Sequence, residues 1–393
     1  MENVNSKYVW KNQKRLRTGY TTGSCAAGAA KAAAQMLLGE ETVRQVRLHT
    51  PKGIVLYLEV EKIVRGLDWV SCAVRKDSGD DPDVTDGVYV YAKVEKTREP
   101  GVSLRGGEGV GIVTREGLGL AVGEAAINQV PRKMIREAVE CACSSYGYQG
   151  GIAVVISIPE GVKLAGRTFN PRLGIEGGIS VLGTTGIVEP MSEQALIDTI
   201  YTQMSVLKNA GRDVCYVVPG NYGSDFLHDT LGYQGDAAVK CSNYIGEVID
   251  IAVRLRMKGI LLIGHVGKLV KVAAGIMNTH SSQADGRFEV LAAHAAMAGA
   301  GRELVSEIMG CITTSEALEL LKREELLEPV MGTVMEKTEG HLNMRAGDGL
   351  EIGAVMFSPE LGILGMTGRA EALLEEVKNQ RSDMACSKDC SKD

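Results

Sequence analysis

Long uninterrupted apolar runs are missing from this sequence. The N-terminal stretch MENVNSKYVWKNQKR contains no apolar core of signal-peptide length. The most apolar later stretch, residues 259–276, is interrupted by His265, Lys268 and Lys271. Positive charge is not in excess, because 43 Lys and Arg stand against 49 Asp and Glu and give a net charge of −6. We therefore expect a cytoplasmic protein that neither crosses a membrane nor binds nucleic acid through a basic face.

The sequence also lacks the spacings of common metal and nucleotide sites. Most of its nine cysteines are isolated in apolar segments, and none of them follows zinc-ligand spacing. Cys141 and Cys143 are expected to point to different faces of one helix. The segment GHVGKLVK misses the P-loop pattern, since Leu269 stands where a magnesium-binding hydroxyl is needed. The acidic segment 76–87 misses the EF-hand pattern because of Pro82. We predict no resident metal ion.

The length of 393 residues favours two domains of an α/β protein. Residues 1–150 mix helix and strand signals and predict an α+β domain with a hydroxyl-rich turn and an acidic loop. Over residues 151–380, short apolar strands alternate with helical stretches, which predicts a doubly wound, Rossmann-like domain with a mostly parallel sheet. The polar residues 381–393 predict a disordered tail.

Turn and cap signals place the main elements. We predict a helix over 24–38 that ends at Gly39, a β-hairpin around the turn at 51–53, and a helix over 131–146 with Pro131 in its first turn. In the second domain the predicted strands are IAVVISIP, GISVLG, VCYVVPG, AAVKC and GILLIGH, and a hairpin, GAVMFSPELGILGMT, lies near the end. The loops that follow such strands share one edge of the sheet, where ligands of open parallel sheets bind. These loops are TTGIVEPMS, GNYGSDF, SNYIG and HVGKLVK.

The stretch from Arg17 to Ala33 joins a hydroxyl-rich turn to a helix of small residues. Its hydroxyl residues are Thr18, Thr21, Thr22 and Ser24. Thr22 or Ser24 can cap the helix, whose first turn would offer free backbone N–H groups to an anion. A well-capped helix packed by its small residues is the alternative. The local pattern leaves both interpretations open.

Read together, several segments resemble one known family. They are RTGYTTGSCAAGAAKAA (17–33), KDSGDDPDVTDG (76–87), GEGVGIVTREGLG (107–119), NPRLGIEGGISVLGTTGIVEPMS (170–192), PGNYG (219–223) and GHVGKLVKVAAGIMNTHSSQADGR (264–287). Their order and content resemble the cobalt-precorrin-5B C1-methyltransferase family, the CbiD family of anaerobic cobalamin biosynthesis. The resemblance runs from about residue 15 to about residue 370. It implies transfer of a methyl group from S-adenosylmethionine (SAM) to ring carbon C1 of a tetrapyrrole that itself carries cobalt.

Under this resemblance, GISVLGTTGIVEP is the predicted SAM loop, although it lacks the G-x-G-x-G spacing of common SAM-dependent enzymes. The predicted cofactor-binding residues are Thr184, Thr185, Gly186, Glu189, Gly220, Asn221 and Asn243. Glu189 would accept the ribose hydroxyls or cap the following helix. A purely structural turn at Thr184–Gly186 is the alternative.

The carboxylate-bearing substrate calls for hydroxyl and cationic side chains. The predicted substrate-binding residues are Arg17, Thr18, Thr21, Thr22, Ser24, Lys268, His280 and Arg287, whereas Lys271 is expected to be a solvated surface lysine. His265 or His280 would ligate the substrate's cobalt, or else be an ordinary hydrogen-bonded histidine. Asp80 or Asp81 would stabilise the sulfonium or accept a ring N–H proton, or else belong to a simple polar turn. The predicted catalytic residues are Asp80, Asp81 and His265.

We therefore predict a methyltransferase that converts cobalt-precorrin-5B to cobalt-precorrin-6A. A corrinoid-binding scaffold, or another tetrapyrrole-modifying enzyme of the same pathway, is the alternative. The predicted partners are the tetrapyrrole and SAM, and a homo-oligomer or transient contacts with neighbouring pathway enzymes stay open. A Ser–His–Asp set is absent, which suits a reaction that mainly needs two reactants held in line.

Overall fold

The computed structural model describes residues 7–11, 13–230 and 238–389. The chain divides into two compact units, Met1–Glu193 and Gln194–Asp393. The predicted boundary lay after residue 150. The structure differs because the strand that follows this position pairs with strands of the first unit, as described next.

The first unit is built on a five-stranded, mainly antiparallel sheet. The strands of this unit are β1 (Tyr8–Lys11), β2 (Lys14–Arg17), β3 (Gly19–Tyr20), β4 (Gln45–His49), β5 (Val55–Glu59), β6 (Glu61–Arg65), β7 (Trp69–Arg75), β8 (Tyr89–Thr97), β9 (Val102–Gly106), β10 (Gly109–Val110), β11 (Ile112–Val113), β12 (Gly151–Ser157), β13 (Ile175–Glu176), β14 (Gly178–Ile179) and β15 (Ile187–Val188). The sheet order is β6-β7-β8-β12-β9. Strand β12 is antiparallel to β8 and parallel to β9, so it does not open the second domain as predicted.

Helices α1 (Thr22–Leu38) and α2 (Gln129–Ser145) pack against each other, and α1 lies on β7 and β8. Small residues line α1 because its neighbours approach closely: a Cβ at Gly28 would lie 2.6 Å from the Leu58 side chain. The helix ends at Gly39, as predicted. Strands β4 and β5 form the predicted antiparallel hairpin. A short helix, α3 (Gly161–Leu164), and short 3-10 helices at Ala165–Arg167 and Asn170–Leu173 follow β12.

The second unit contains a five-stranded sheet whose order is β17-β16-β18-β19-β20. Its strands are β16 (Val214–Val218), β17 (Ala238–Lys240), β18 (Gly259–His265), β19 (Glu351–Ser358) and β20 (Gly362–Met366). The first four run parallel, and β20 is antiparallel to β19. From β16 the chain passes to β17 on one side, then crosses to β18 on the other. The order of the strands therefore reverses between β16 and β18.

Helices cover this sheet and extend the unit. They are α4 (Glu193–Asn209), α5 (Asn221–Asp229), α6 (Ile245–Arg254), α7 (Val266–Leu269), α8 (Arg287–Met297), α9 (Arg302–Gly310), α10 (Thr314–Arg323), α11 (Leu327–Ala346) and α12 (Ala370–Asp389), with 3-10 helices at Val270–Ala274 and Gly347–Gly349. Strands β16 and β18 are buried along almost their whole length, as their unbroken apolar sequence predicted. Helix α12 includes the first nine residues, 381–389, of the predicted tail, and residues 390–393 lie outside the described residues.

Candidate functional site

The hydroxyl-rich turn in the first unit is filled by internal hydrogen bonds. Thr21, rather than Thr22 or Ser24, caps α1, and its Oγ1 accepts a hydrogen bond from the Ser24 N–H at 3.2 Å. The Gly23 N–H donates to the Leu182 carbonyl at 2.8 Å. Two amides at the start of α1 are thus already bonded, so the predicted anion site at these positions is occupied by the protein itself. Thr18, also within this turn, is buried and donates to the Lys7 carbonyl.

The remaining hydroxyls of the turn bind the predicted SAM loop. The Thr22 Oγ1 accepts from the Leu182 N–H at 2.9 Å. The Ser24 Oγ donates to the Gly186 carbonyl at 2.7 Å, and β3 pairs with β15 beside this bond. A Cβ at Gly186 would lie 2.9 Å from the Ser24 hydroxyl, and the glycine has φ +79°. The loop therefore belongs to the first unit and not to the edge of the parallel sheet.

Other groups of this loop are partly engaged. The Thr185 Oγ1 donates to the Ile187 carbonyl at 3.0 Å. Glu189 forms an ion pair with Lys52, so its carboxylate already has a cationic partner. Thr184 is exposed at the turn. Of the predicted cofactor residues in this loop, Thr184 and Thr185 are exposed, whereas Gly186 is buried.

The acidic loop also binds the hydroxyl-rich turn and the end of the predicted SAM loop. The Asp77 carboxylate accepts two hydrogen bonds from the Arg17 guanidinium, at 2.5 and 2.8 Å. The Asp80 carboxylate accepts from the Arg17 backbone N–H at 2.6 Å, and the Asp81 carboxylate accepts from the Met191 N–H at 3.1 Å. Gly79 allows this close packing, because a Cβ there would lie 2.2 Å from the Arg17 carbonyl oxygen. Both predicted catalytic aspartates therefore hold backbone amides.

Electrostatics agree with a structural role for the loop. Burial alone would raise the pKa of Asp77, but hydrogen bonds from Arg17 and Gly79 outweigh it and hold that pKa below its ordinary 3.8. Lys76 is buried and forms an ion pair with Asp83 at 2.7 Å. A cleft of about 330 Å³ lies beside the loop, and neither Asp80 nor Asp81 lines it. The cleft is lined by Tyr20, Glu59, Glu61, Arg75, Lys76, Asp77, Asp86 and Gly87.

In the second unit, the loops after β16 and β18 lie at the point where the strand order reverses. Open α/β sheets bind ligands at such a point, beyond the carboxyl ends of the strands. Gly220 follows β16 with φ +121° and precedes α5 without a side-chain cap. Asn221 and Tyr222 begin this helix, and Tyr222 is 67% exposed. The first turn of α5 and an exposed aromatic ring thus open onto this edge.

Lys268 joins the loops at this edge. Its ammonium group donates to the Pro219 carbonyl at 2.8 Å and to the Ser242 carbonyl at 3.5 Å. Burial lowers its pKa from the ordinary value of 10.5. Among residues 7–11, 13–230 and 238–389, no carboxylate forms an ion pair with it. An ammonium has three donors, so one remains for an anionic group.

His265 ends β18 and caps α7. Its Nδ1 accepts a hydrogen bond from the Gly267 N–H at 3.0 Å, which requires the neutral form at that nitrogen. The ring packs edge-on to Phe357 and lies 5.8 Å from the Tyr222 ring. Burial lowers the pKa of His265 below 6.5. The Nδ1 atom of His265 is therefore occupied by the cap of α7, whereas its Nε2 atom takes no part in that cap.

Of the other predicted residues of this unit, Asn243 follows β17, and His280 and Arg287 follow α7. The Asn243 side chain accepts from the Thr279 hydroxyl at 3.4 Å. His280 is exposed and its Nδ1 lies 2.7 Å from the Ser282 hydroxyl. Arg287 binds Asp285 through two hydrogen bonds, at 2.8 and 2.9 Å. Its guanidinium is therefore paired within the protein.

Lys271 differs from the prediction of a solvated surface lysine. Its side chain is 3% exposed, and its ammonium donates to the carbonyls of Thr279 and Ala284. It fastens the segment that carries His280. The sequence around Lys271 does not indicate these two hydrogen bonds. The accepting carbonyls belong to a loop farther along the chain, whose position no local pattern predicts.

The predicted site residues thus form two sets. Thr18, Thr21, Thr22, Ser24, Arg17, Asp80, Asp81, Thr184, Thr185, Gly186 and Glu189 meet in the first unit, and Gly220, Asn221, Asn243, His265, Lys268, His280 and Arg287 lie in the second. The predicted cofactor residues are divided between the two units. Sequence reasoning passed over Tyr222, although an aromatic residue directly after Gly-Asn at a strand end was a usable signal.

Among the described residues, no three His, Cys, Asp or Glu side chains cluster as metal ligands. Cys25, Cys72, Cys215 and Cys241 are buried free thiols as predicted, whereas Cys311 is half-buried. Cys141 is exposed and Cys143 half-buried, in agreement with their different helix faces. Within the described part of the chain, every helix is too short or too polar to cross a membrane.

Two models of one protein family match parts of this chain. Residues 9–190 match the CbiD family model, and residues 278–368 match the model of the CbiD C-terminal domain. A protein of Ruminiclostridium cellulolyticum is 53% identical over 352 residues, which are 90% of this chain and 91% of that protein. A protein of Alkaliphilus metalliredigens is 44% identical over 95% of this chain and 98% of its own length. Both are named cobalt-precorrin-5B C(1)-methyltransferase.

A solved structure is also similar. It is the 1.9 Å crystal structure of the cobalamin biosynthesis protein (cbiD) from Archaeoglobus fulgidus, which is 28% identical. The alignment covers 70% of this chain and 86% of that one, with a TM-score of 0.38.

Proposed function

The chain belongs to the CbiD family, and we propose that it methylates C1 of cobalt-precorrin-5B to give cobalt-precorrin-6A in anaerobic cobalamin biosynthesis. One observation carries the proposal: the chain is 53% identical, over 90% of its length, to a relative with this activity in its name. The chain is an enzyme of that class, and cobalt enters with the substrate rather than as a resident ion.

SAM is the proposed methyl donor. The bond between the methyl carbon and the sulfonium sulfur breaks as the bond to C1 forms, and S-adenosylhomocysteine leaves. Such a transfer needs in-line approach, and holding two reactants in line can contribute about 7–11 kcal/mol. The residues that bind and orient the reactants therefore matter more than an acid or base.

We place SAM at the edge of the second unit where the strand order reverses. Its sheet, with four parallel strands, supports the doubly wound, Rossmann-like description. Gly220 has a backbone conformation that favours glycine, and α5 begins there without a side-chain cap. Lys268 keeps one donor for the methionyl carboxylate. Asn221 and Asn243 offer amide groups to the ribose and adenine.

This placement revises the predicted roles of several residues. Lys268 was predicted to bind the tetrapyrrole, but its position between the loops after β16 and β17 favours the cofactor. Thr185, Gly186 and Glu189 are engaged within the first unit. We propose that they act as positioning residues.

Substrate binding is proposed for the first unit, in the region that the hydroxyl turn and the acidic loop hold in place. Asp80 and Asp81 bind backbone amides and are proposed to position that region rather than transfer a proton. His280 and Arg287, which were predicted to bind the substrate's carboxylates, lie in the second unit, and Arg287 is paired with Asp285. His265 offers only Nε2 to a ligand, because Nδ1 caps α7.

A cytoplasmic location is part of the proposal. The seven cysteines whose side chains the structure describes are free thiols, as is usual in a reducing compartment.

The experiment is a methyl-transfer assay with labelled SAM and cobalt-precorrin-5B under anaerobic conditions. The expected product is heavier by one methylene and carries the label at C1. A matched SAM titration separates the alternatives. A corrinoid-binding scaffold would bind the tetrapyrrole but neither bind SAM nor transfer the label.

A further inference from the structure

The N-terminal ribbon, formed by β1 and β2, has one face that packs on the protein and one that does not. In its antiparallel register Trp10 lies opposite Arg15 and Val9 opposite Leu16. Residues opposite each other share a face of the ribbon. Val9 and Leu16 are half-buried, whereas Trp10 and Arg15 are exposed. The ribbon therefore presents an aromatic ring and a guanidinium to solvent.

The exposed face of the ribbon carries two aromatic side chains. Trp10 is 74% exposed and Tyr8 42% exposed. The Arg15 guanidinium carbon lies 3.9 Å from the centre of the Tyr8 ring. Two flat rings and one guanidinium thus form a platform, and exposed aromatic platforms of this kind mark binding surfaces.

The charge of the ribbon contrasts with the acidic chain around it. Residues 7–17 contain five Lys or Arg and no Asp or Glu, in a protein of net charge −6. Arg17 is paired with Asp77. No carboxylate among the described residues forms an ion pair with Lys7, Lys11, Lys14 or Arg15. Arg15 lies on the same face as Trp10 and is therefore available to an anionic ligand there.

The ribbon is fastened to the region proposed to bind substrate. The Lys11 ammonium donates to the Met191 carbonyl at 3.3 Å, directly after the loop that contains Glu189. The Thr18 N–H and hydroxyl both bind the Lys7 carbonyl. The platform thus has a defined attachment within the first unit and continues into the hydroxyl turn.

We propose that the N-terminal ribbon is a binding subsite for the tetrapyrrole. The conjugated macrocycle stacks on Trp10, and a peripheral carboxylate pairs with Arg15, which lies on the same face of the ribbon. A flat anionic ring with carboxylates at its rim matches both the aromatic face and the excess of positive charge. This inference rests on the proposed substrate of the enzyme, but it makes a separate claim about where that substrate binds.

The test compares tetrapyrrole affinity in ribbon variants of the full chain. The probe is uroporphyrin III, a stable tetrapyrrole with acetate and propionate side chains, followed by its absorption change. Trp10→Leu should weaken binding about tenfold, as expected for loss of one stacked ring. Arg15→Gln should weaken it about three- to fivefold and make it less sensitive to salt. Arg98→Gln removes an exposed arginine of the same unit and should change nothing.

Turnover with cobalt-precorrin-5B gives a second readout. The ribbon variants should raise KM with little change in kcat, since a peripheral subsite binds ground state and transition state alike. Melting temperatures should match the wild type, because both changed side chains are exposed. SAM affinity should also be unchanged.

The outcomes separate this inference from the proposed function. Wild-type affinity and KM in Trp10→Leu and Arg15→Gln, with an active wild-type enzyme, would overturn the subsite and leave the methyltransferase intact. Weakened probe binding in a chain that transfers no methyl group would support the subsite and reject the function. A change of oligomeric state in Trp10→Leu, with probe affinity unaltered, would make the ribbon an interface between copies and overturn the subsite.

Discussion

Replacing Lys268 by Met removes a cation that joins the loops after β16 and β17. The substitution shortens the side chain by one atom and removes the ammonium group. Two carbonyl contacts are lost, to Pro219 at 2.8 Å and to Ser242 at 3.5 Å. The donor that we assign to the methionyl carboxylate of SAM is lost as well. We expect SAM affinity to fall while the sheet itself stays folded.

The expected magnitude follows from the kind of bond removed. A hydrogen bond that involves a charged group contributes about 1.5–3 kcal/mol. This corresponds to a dissociation constant for SAM that is about 10- to 150-fold higher. Lys268 is half-buried, so salt should screen the effect only in part.

Isothermal titration with SAM and with S-adenosylhomocysteine measures the change directly. Lys337→Met is the matched control, because Lys337 is an exposed lysine of α11 in the same unit. It should bind SAM as the wild type does. Unchanged SAM affinity in a folded Lys268→Met variant would refute the placement of the cofactor at this edge. It would favour a SAM site at the loop around Thr184 instead.

Three further predictions concern stability. Gly79→Ala should lower the free energy of unfolding by about 3 kcal/mol or more, since the new Cβ meets the Arg17 carbonyl. The control Gly53→Ala is also at positive φ but has nothing within 4 Å, so it should cost only about 1 kcal/mol. Urea unfolding measures both. Burial lowers the pKa of His265 below 6.5, so the unfolded chain takes up this proton first and stability should fall as pH drops below about 6.5. His265→Asn keeps a cap and should reduce that pH dependence, with a remainder from His294, whose pKa burial also lowers; an unchanged slope would contradict this. Lys271→Met should lower the free energy of unfolding by about 2 kcal/mol or more, because two carbonyls lose their donor, and wild-type stability would show that the buried ammonium contributes nothing.

Local elements of the fold were predictable from sequence. The helix that ends at Gly39, the hairpin around the turn at 51–53 and the buried strand β18 each carry a signal within a few residues. Periodicity, glycine and proline signals are local, and so are the elements they specify. The sequence therefore predicted these helices and strands correctly. It did not predict equally well which strands pair with one another.

Long-range pairing was not predictable in the same way. Strand β12 has the unbroken apolar sequence of a parallel-sheet strand, but it pairs with β8 and β9 of the first unit. Strand β15 has only two residues. It pairs with β3, which lies near the opposite end of the first unit's sequence. Such pairings depend on contacts between distant segments, which no window of sequence contains.

The same limit applies to the candidate site. The hydroxyl turn, the acidic loop and the loop of Gly186 were predicted to have separate roles, and the last was placed in the second domain, whereas the structure brings all three together in the first unit. The sequence did not indicate that Thr21 would be the cap or that Asp81 would bind the Met191 amide. Hydroxyl and carboxylate groups bind ligands and backbone amides by the same chemistry, so composition alone cannot distinguish these uses.

We propose that this chain transfers a methyl group from SAM to C1 of cobalt-precorrin-5B. Mass spectrometry of an anaerobic reaction with methyl-labelled SAM tests it most directly. We expect one labelled methyl group per product, placed at C1 by nuclear magnetic resonance, and a matching amount of S-adenosylhomocysteine. Bound and unchanged cobalt-precorrin-5B, with no S-adenosylhomocysteine formed, would contradict it.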